Sequence, residues 1–186
     1  MILAFTGAGI SKASGIPTFA EQGDMRLKLS RSYSIRHPED YKNTVNMMVE
    51  ACEKAEPNDA HIALAEYNIP IITMNVDKLH HKAGSKNILA IHGELPDSIV
   101  LYEDPAPLYS DAFAWVDRLG MNDILLIVGV SFYTNISSQL KQMARNNGAK
   151  VVILNEKAEE NVRAYIENHK EYIGDFEEFM KRTTYY

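Results

Sequence analysis

The stretch MILAFTGAGISKASG, residues 1–15, decides which fold class this chain adopts. The run 2–6 is apolar apart from its last residue, as expected for a strand buried on both faces of a parallel sheet. Gly7 and Gly9 follow at once, and glycines at such a turn let the backbone approach a diphosphate near a helix start. The dinucleotide-binding fingerprint has glycine where this chain has Lys12, so the turn is either a nucleotide site of non-standard spacing or a plain strand-to-helix turn.

Similar apolar runs recur along the chain and alternate with helical patterns. The predicted strands are 2–6, 70–74, 88–91, 98–102, 124–130 and 150–155. Apolar residues spaced for one helix face are Tyr41, Val45, Met48 and Cys52, then Ile136, Leu140, Met143 and Ala144, and then Val162, Tyr165 and Ile166. Strands that alternate with helices predict βαβ units, and therefore an α/β protein with a doubly wound parallel sheet.

Composition, charge and length exclude several classes of protein. The 186 residues are 46% hydrophobic and 24% charged, which is typical of one globular domain spanning 1–186. The net charge of −6 predicts no broad basic face, so we expect no nucleic acid as a partner. No apolar run approaches the roughly 18 residues of a membrane helix, and the first residues lack the basic region of a signal peptide. We therefore expect a cytoplasmic protein without a membrane partner.

The single cysteine, Cys52, excludes a disulfide framework and any zinc site with two or more cysteines.

Polar or small residues follow the predicted strands, at the carboxyl ends where doubly wound sheets bind their ligands. Asn75 and Asp77 lie two apart and together offer donors and acceptors to an amide-bearing ligand, although Asp77 could equally cap a helix that begins at Lys78. His92 follows the third strand as a candidate general base or a structural histidine. The later strand ends offer Gly129, Ser131 and Asn155.

A long polar segment follows the first glycine turn. Residues 20–37 are rich in Ser and Arg and lack clear periodicity. A loop of that length in a small domain is usually functional or disordered. We predict a mobile flap over the site, and we place the flap and a small-module insertion together at 20–56.

Seven motifs, in order along the chain, resemble the sirtuin family of NAD-dependent protein deacylases. They are GAGIS with SGIPTF (7–19), PNDAH (57–61), TMNVDKLHHKAG (73–84), IHG (91–93), PDSIVLYED (96–104), NDILLIVGVS (122–131) and VVILNE (151–156). The resemblance implies a Rossmann-like domain with NAD as co-substrate, and an acyl-lysine protein or peptide as the second substrate. It also implies a small helical module beside that domain.

The resemblance implies roles for individual residues. His92 would be the general base that withdraws a ribose proton, a task that suits a histidine with a pKa near neutrality. Asn75 and Asp77 would act on the nicotinamide carboxamide, and Ile10 would help to hold it. Phe19 would cover the sugar face after nicotinamide leaves. The further cofactor-binding residues implied are Gly7, Ala8, Gly9, Ser11, Gly129, Val130, Ser131, Asn155 and Glu156.

The acyl-lysine side and the metal site depart from the family pattern. Val100 and Tyr102 would lie along the acyl-lysine tunnel, but Glu103 stands where the family has glycine, and Ala20 where it has arginine. Only two residues separate Gly93 from Pro96, where the zinc ribbon would fall, and its four cysteines are absent. We therefore expect a reduced small module, no zinc ribbon and no metal.

Three functions fit these residues. The first is an NAD-dependent protein-lysine deacylase, which releases nicotinamide and transfers the acyl group to ADP-ribose. The second is an NAD glycohydrolase or ADP-ribosyltransferase that uses the same NAD site, and Ala20 and Glu103 favour it. The third is a non-catalytic NAD or ADP-ribose sensor, against which the general base at His92 argues.

Overall fold

Five parallel strands form one sheet in residues 1–19 and 21–185, the part of the chain that the computed structural model describes. They are β1 (Ile2–Thr6), β2 (Ile71–Thr73), β3 (Ile88–Ala90), β4 (Ile124–Val128) and β5 (Lys150–Leu154). Their order is β3-β2-β1-β4-β5, and every neighbouring pair is parallel. The chain builds outward from β1 on one side and then crosses to β4 on the other. The predicted α/β class and doubly wound sheet are confirmed.

Helices cover both faces of this sheet. They are α1 (Met25–Lys28), α2 (Arg31–Arg36), α3 (Pro38–Lys54), α4 (Asp59–Glu66), α5 (Leu79–Lys82), α6 (Tyr109–Asp117), α7 (Asn135–Asn146), α8 (Ala158–Glu167) and α9 (Phe176–Met180), with 3₁₀ helices at Ala8–Ser14 and Lys170–Tyr172. Within the described residues, no helix combines the length and the apolar character needed to cross a membrane.

The alternating residues of β1 face two separate layers of core. Leu3 and Phe5 pack with residues of α6, α7 and α9, while Ile2 and Ala4 pack with residues of α4 and α8. All four side chains are fully buried. Burial on both faces explains why the run is continuously apolar and does not alternate with polar residues.

The carboxyl ends of the strands lie in one row. Thr6 is paired with Thr73 and Val128, Thr73 with Ala90, and Val128 with Leu154. Each is the last residue of its strand. The residues that follow the five strands are therefore brought to one edge of the sheet.

Two predicted elements differ from the structure. The run 98–102 is not a strand of the sheet: it makes only isolated bridges, Gly93 with Ile99 and Ser30 with Tyr102. Leu101 is buried, and Ile99 and Val100 are partly buried, so the apolar pattern reflects burial without a strand partner. The segment predicted as a flap contains α1 and α2, and the Ser30 hydroxyl caps α2 by accepting from the N–H of Tyr33. These helices are too short for periodicity to show them.

The predicted helix faces are confirmed on α7 and α8, where Ile136, Leu140, Ala144, Val162 and Ile166 are buried. On the predicted face of α3, Cys52 is buried and Tyr41, Val45 and Met48 are partly buried.

Candidate active site

A cavity of about 660 Å³ lies at the carboxyl edge of the sheet. Residues that follow all five strands line it: Ala8, Gly9, Ser11, Asn75, Val76, Asp77, His92, Gly129, Val130, Ser131 and Asn155. On the opposite side it is lined by Phe19 and by residues of α1 and α3. Its volume lies within the ~300–1,000 Å³ typical of small-molecule sites.

The turn after β1 packs directly on the turn after β4. The N–H of Gly9 donates to the carbonyl of Gly129 at 2.9 Å, and the N–H of Gly7 donates to that of Val128 at 3.0 Å. A Cβ on Gly9 would lie 2.6 Å from the Cα of Gly129. Gly129 has a φ of 66°, and a Cβ there would lie 2.2 Å from the N of Ile10. Contact between the two turns therefore requires glycine at both places, before any ligand is considered.

Ser11, Asn75 and Asp77 form one buried hydrogen-bonded group beside the cavity. The Ser11 hydroxyl donates to Oδ2 of Asp77 at 2.6 Å, and Nδ2 of Asn75 donates to Oγ of Ser11 at 3.2 Å. Oδ1 of Asp77 accepts from the N–H of Leu79 at 2.9 Å. Asp77 thus both borders the cavity and caps α5, which begins one residue later than predicted. Burial raises the pKa of Asp77, and the bonds from Ser11 and Leu79 oppose that rise.

His61 contacts this group through the Ser11 hydroxyl. Its Nδ1 accepts from the N–H of Asn58 at 3.2 Å, as part of the cap of α4, so Nε2 carries the proton and donates to Oγ of Ser11 at 3.3 Å. Burial lowers the pKa of His61 to about 4. The sequence patterns assign His61 no role in the site, although it belongs to PNDAH, one of the motifs that carry the resemblance.

His92 joins the first cavity to a second one. It lines both, and the second has a volume of about 210 Å³ and is lined also by Phe19, Val100 and Tyr102. Nε2 of His92 lies 2.8 Å from the hydroxyl oxygen of Tyr109. Burial lowers the pKa of His92, and a hydrogen bond with the backbone of Met74 opposes the shift.

Charges at the two cavities are few. Arg26 on α1 is the only lysine or arginine among the described residues that line them. Its guanidinium lies over the ring of Tyr133, 3.7 Å from the ring centroid, and no carboxylate forms a salt bridge with it in the described chain. Asp77 is the only carboxylate lining the first cavity within that part of the chain. The first cavity therefore presents one cationic and one anionic side chain.

Comparison with known proteins identifies the family of the chain. The Sir2 family model matches residues 7–99. The NAD-dependent protein deacetylase 1 of Pyrobaculum aerophilum is 31% identical over 200 residues, which cover 82% of this chain and 78% of that protein. The chain belongs to the Sir2 family.

Solved Sir2 structures share the fold. A Sir2 homologue in complex with NAD has a TM-score of 0.82 at 21% identity, over 93% of this chain and 90% of that chain. Sir2Tm bound to a propionylated peptide has a TM-score of 0.77 at 22% identity, over 91% of this chain and 93% of that chain. The Rossmann-like architecture expected from the resemblance is therefore confirmed.

Several residues expected from the Sir2 resemblance lie away from the cavities. Gly7 and Ile10 line neither cavity, and the Ile10 side chain belongs to the core beneath the turn. Glu156 is exposed and also lines neither. Asn155 lines the first cavity, but its side-chain amide is bonded to both backbone groups of Val130, at 3.0 and 2.9 Å. Ala20 lies outside the described residues.

The turn where other Sir2 proteins are expected to carry the zinc ribbon is short and closed. The N–H of Leu95 donates to the carbonyl of Val76 at 2.9 Å, and Leu95 is buried. Asp97 forms a salt bridge with Lys78 at 2.9 Å. No cluster of three or more His, Cys, Asp or Glu that could hold a metal occurs in residues 1–19 and 21–185.

Proposed function

We propose that this protein is an NAD-dependent protein-lysine deacylase, which releases nicotinamide and transfers the acyl group to ADP-ribose. The position of His92 carries the proposal. It stands where the cavity lined by Asn75 and Asp77 meets the one lined by Val100 and Tyr102. A base at that junction can serve a reaction between two substrates that enter from different sides. The names of the curated relatives agree with this activity.

We infer that NAD occupies the first cavity, whose volume of about 660 Å³ lies in the range of small-molecule sites. Ala8, Gly9 and Ser11 would face the diphosphate, and Arg26 would neutralise part of its charge. The adenosine would lie toward Gly129, Val130, Ser131 and Asn155. Bound NAD would supply a nicotinamide–ribose bond, whose cleavage leaves an anomeric carbon open to attack by the acyl oxygen.

Asn75 and Asp77 would orient the carboxamide. Asp77 carries no proton on Oδ2 as long as it accepts from Ser11, so the ligand meets a fixed acceptor beside the amide of Asn75. His61 keeps the Ser11 hydroxyl aimed at Asp77, because its own N–H occupies a lone pair of that oxygen. The group is thus organised before a ligand arrives, which limits the reorganisation needed during reaction.

His92 would act as the base after nicotinamide has left. Burial lowers its pKa, so the imidazole is neutral and able to accept a proton at neutral pH. Phe19 lines both cavities and would shield the reacting sugar from water. The acyl-lysine side chain would enter through the second cavity, past Val100 and Tyr102.

We also propose that α1, α2 and α3 form the reduced small module of this family member. They occupy the segment between Phe19 and Ala55, and Met25, Arg26 and Met48 reach the first cavity. In this arrangement the module closes the NAD site without a metal.

One experiment tests the proposed function directly. The protein is incubated with NAD, with and without an acetyl-lysine peptide, and nicotinamide and O-acetyl-ADP-ribose are measured by mass spectrometry. We expect both products in equal amounts and only with peptide. In His92→Ala, O-acetyl-ADP-ribose should fall by about 10²-fold or more, while the exposed-site control His37→Ala keeps the wild-type rate. Nicotinamide release that is equally fast without peptide would overturn the proposal.

A specific observation favours the second candidate, an NAD glycohydrolase or ADP-ribosyltransferase. Both backbone groups of Tyr102 are already bonded: its N–H donates to Leu29 and its carbonyl accepts from Arg31, each at 3.0 Å. The Glu103 carboxylate accepts from the N–H and hydroxyl of Ser32. A peptide could therefore pair with this segment only if the first helices moved. Peptide-independent hydrolysis of NAD in the experiment above is the result that this candidate predicts.

A further inference from the structure

The atom of His92 that would accept a proton already has a partner. Tyr109, the first residue of α6, places its hydroxyl oxygen 2.8 Å from Nε2 of His92. The two rings are close as well, with centroids 5.8 Å apart and planes at 48°. Tyr109 lies outside all the motifs that carry the family resemblance, so that resemblance assigns it no role.

The contact between the His92 ring and the backbone of Met74 indicates the direction of this hydrogen bond. The backbone of Met74 bonds to the His92 ring in a way that favours the protonated ring. The N–H of Met74 is used by the carbonyl of Thr6, so its carbonyl is the group that meets the ring. A proton on Nδ1 fits this contact, and in that tautomer Nε2 accepts from the Tyr109 hydroxyl.

The hydroxyl oxygen of Tyr109 keeps capacity to accept. It has two lone pairs, and no donor from the described residues reaches it other than the histidine contact itself. Tyr109 lines the second cavity together with Val100 and Tyr102. Burial and the neighbouring Tyr102 raise the pKa of Tyr109, so its proton stays in place at neutral pH. The oxygen is thus a free acceptor on a protonated group, at the junction of the two cavities.

We propose that Tyr109 is a proton relay between the substrate and His92, an inference that rests on the proposed deacylase function. As the ribose hydroxyl oxygen attacks the acyl carbon, its O–H bond breaks and its proton bonds to Oη of Tyr109. The original O–H bond of Tyr109 breaks in the same step, and that proton bonds to Nε2 of His92. Tyr109 ends neutral and His92 becomes imidazolium. The electron pair of the broken ribose O–H bond forms the new bond to the acyl carbon, and the π pair of the carbon–nitrogen double bond, formed when the acyl oxygen attacked the anomeric carbon, moves onto the nitrogen.

A double-mutant cycle tests the relay. Tyr109→Phe keeps the ring and removes the hydroxyl, and we expect formation of O-acetyl-ADP-ribose to slow by about 10²-fold. Nicotinamide exchange and the KM for peptide should change by less than about threefold, because neither needs the relay. In the His92→Ala background, Tyr109→Phe should have no further effect, since the two residues act as one unit.

Two controls separate the relay from a structural role. Tyr67→Phe also deletes a hydroxyl hydrogen bond, to Glu167 at 3.1 Å, but lies outside both cavities, and should keep the wild-type rate. Replacement of Tyr109 by 3-fluorotyrosine keeps a donor and acceptor at the same place, and should keep the rate within about threefold of wild type.

The outcomes are distinct. A Tyr109→Phe rate equal to or above wild type would show that the hydroxyl only covers the base, and would overturn the relay while leaving the deacylase intact. A further loss in the His92→Ala background would also overturn it. A wild-type protein that forms no O-acetyl-ADP-ribose would overturn the proposed function and the relay together.

Discussion

Asp77 is a buried carboxylate that caps a helix and also borders the first cavity. Its two oxygens have different partners, the N–H of Leu79 for one and the hydroxyl of Ser11 for the other. The spacing of Asn75 and Asp77 in the sequence fits either role and cannot choose between them. In the structure Oδ1 caps α5, while Oδ2 is bonded to Ser11 beside the cavity, so the carboxylate is placed for both roles.

Replacement of Asp77 by Asn should separate binding from bond cleavage. The change keeps the size but turns one acceptor into a donor, which opposes the Ser11 hydroxyl. We expect nicotinamide release to slow by about 10²-fold or more, and NAD affinity, measured by calorimetry, to fall less than tenfold. Asp175→Asn is the matched control, because Asp175 also caps a helix, α9, away from the cavities. Equal losses of affinity and rate in Asp77→Asn would mean that the cap alone matters.

His61 should make stability depend on pH. Its pKa is about 4 in the folded protein and ~6.5 in the unfolded chain, so only the unfolded chain takes up this proton as the pH falls from 6.5 to 4. Stability from this group is complete above pH 6.5 and is lost below it, by about 2 kcal/mol at pH 5.

Urea unfolding at pH 7 and pH 5 measures the effect of His61. From pH 7 to pH 5, the free energy of unfolding should fall by about 2 kcal/mol more in wild type than in His61→Gln. The exposed-site control His37→Gln should follow wild type. A wild-type-like pH dependence in His61→Gln would contradict the assignment.

At the scale of elements, the glycine turn after β1 has a structural role that the sequence does not show. From the sequence, Gly9 is explained by the approach of a diphosphate. In the structure a Cβ on Gly9 would first meet the backbone of Gly129, at 2.6 Å from its Cα. Gly9 allows the turns after β1 and β4 to pack together, and the packed turns form part of the wall of the first cavity.

Gly9→Ala should therefore affect folding and binding together. We expect a loss of stability of about 2 kcal/mol or more, because the backbone of the β4 turn must shift, and NAD affinity should fall by at least tenfold. Gly120→Ala is the matched control, since the nearest atom to a Cβ there is 4.0 Å away. Thermal unfolding and calorimetry on both variants check this. Unchanged stability in Gly9→Ala would contradict the close packing of the turns.

The sheet was predictable from the sequence, but the pairing of the run 98–102 was not. β1 and β4 are buried on both faces, and that burial leaves a continuous apolar run in the sequence. The run 98–102 has a similar composition but pairs only through isolated bridges, because its partners are the loop after β3 and the first helices. An apolar run in the sequence indicates that a segment is buried. It does not indicate which segment pairs with it, because that partner is distant in the sequence.

At the scale of the whole molecule, most of the candidate site could be predicted because the strand ends share one row. Any polar residue that follows a strand is carried to the same edge, as Asn75 and His92 are. The contact of Tyr109 with His92 could not be predicted in this way. Tyr109 begins a helix beyond the third strand, and no spacing rule connects it to a strand end.

The protein should need no zinc to fold. The short turn at residues 93–98 is closed by backbone bonds and by the buried side chain of Leu95, and structural zinc sites need about four nitrogen or sulfur ligands. Elemental analysis of protein purified from zinc-supplemented culture should find far less than one zinc per chain. The melting temperature should be the same with and without a chelator. Stoichiometric zinc whose removal lowers that temperature would contradict the prediction.

We expect the bonds between the first helices and Tyr102 to couple ligand binding in the two cavities. α1 lines the first cavity through Met25 and Arg26, while the residues on either side of Ser30 hold the backbone of Tyr102 beside the second. A ligand that displaces one end of this segment must alter the other. Linkage is reciprocal. If a ligand in the first cavity changes the affinity of the second cavity for its own ligand by some factor, the ligand in the second cavity changes the affinity of the first by the same factor.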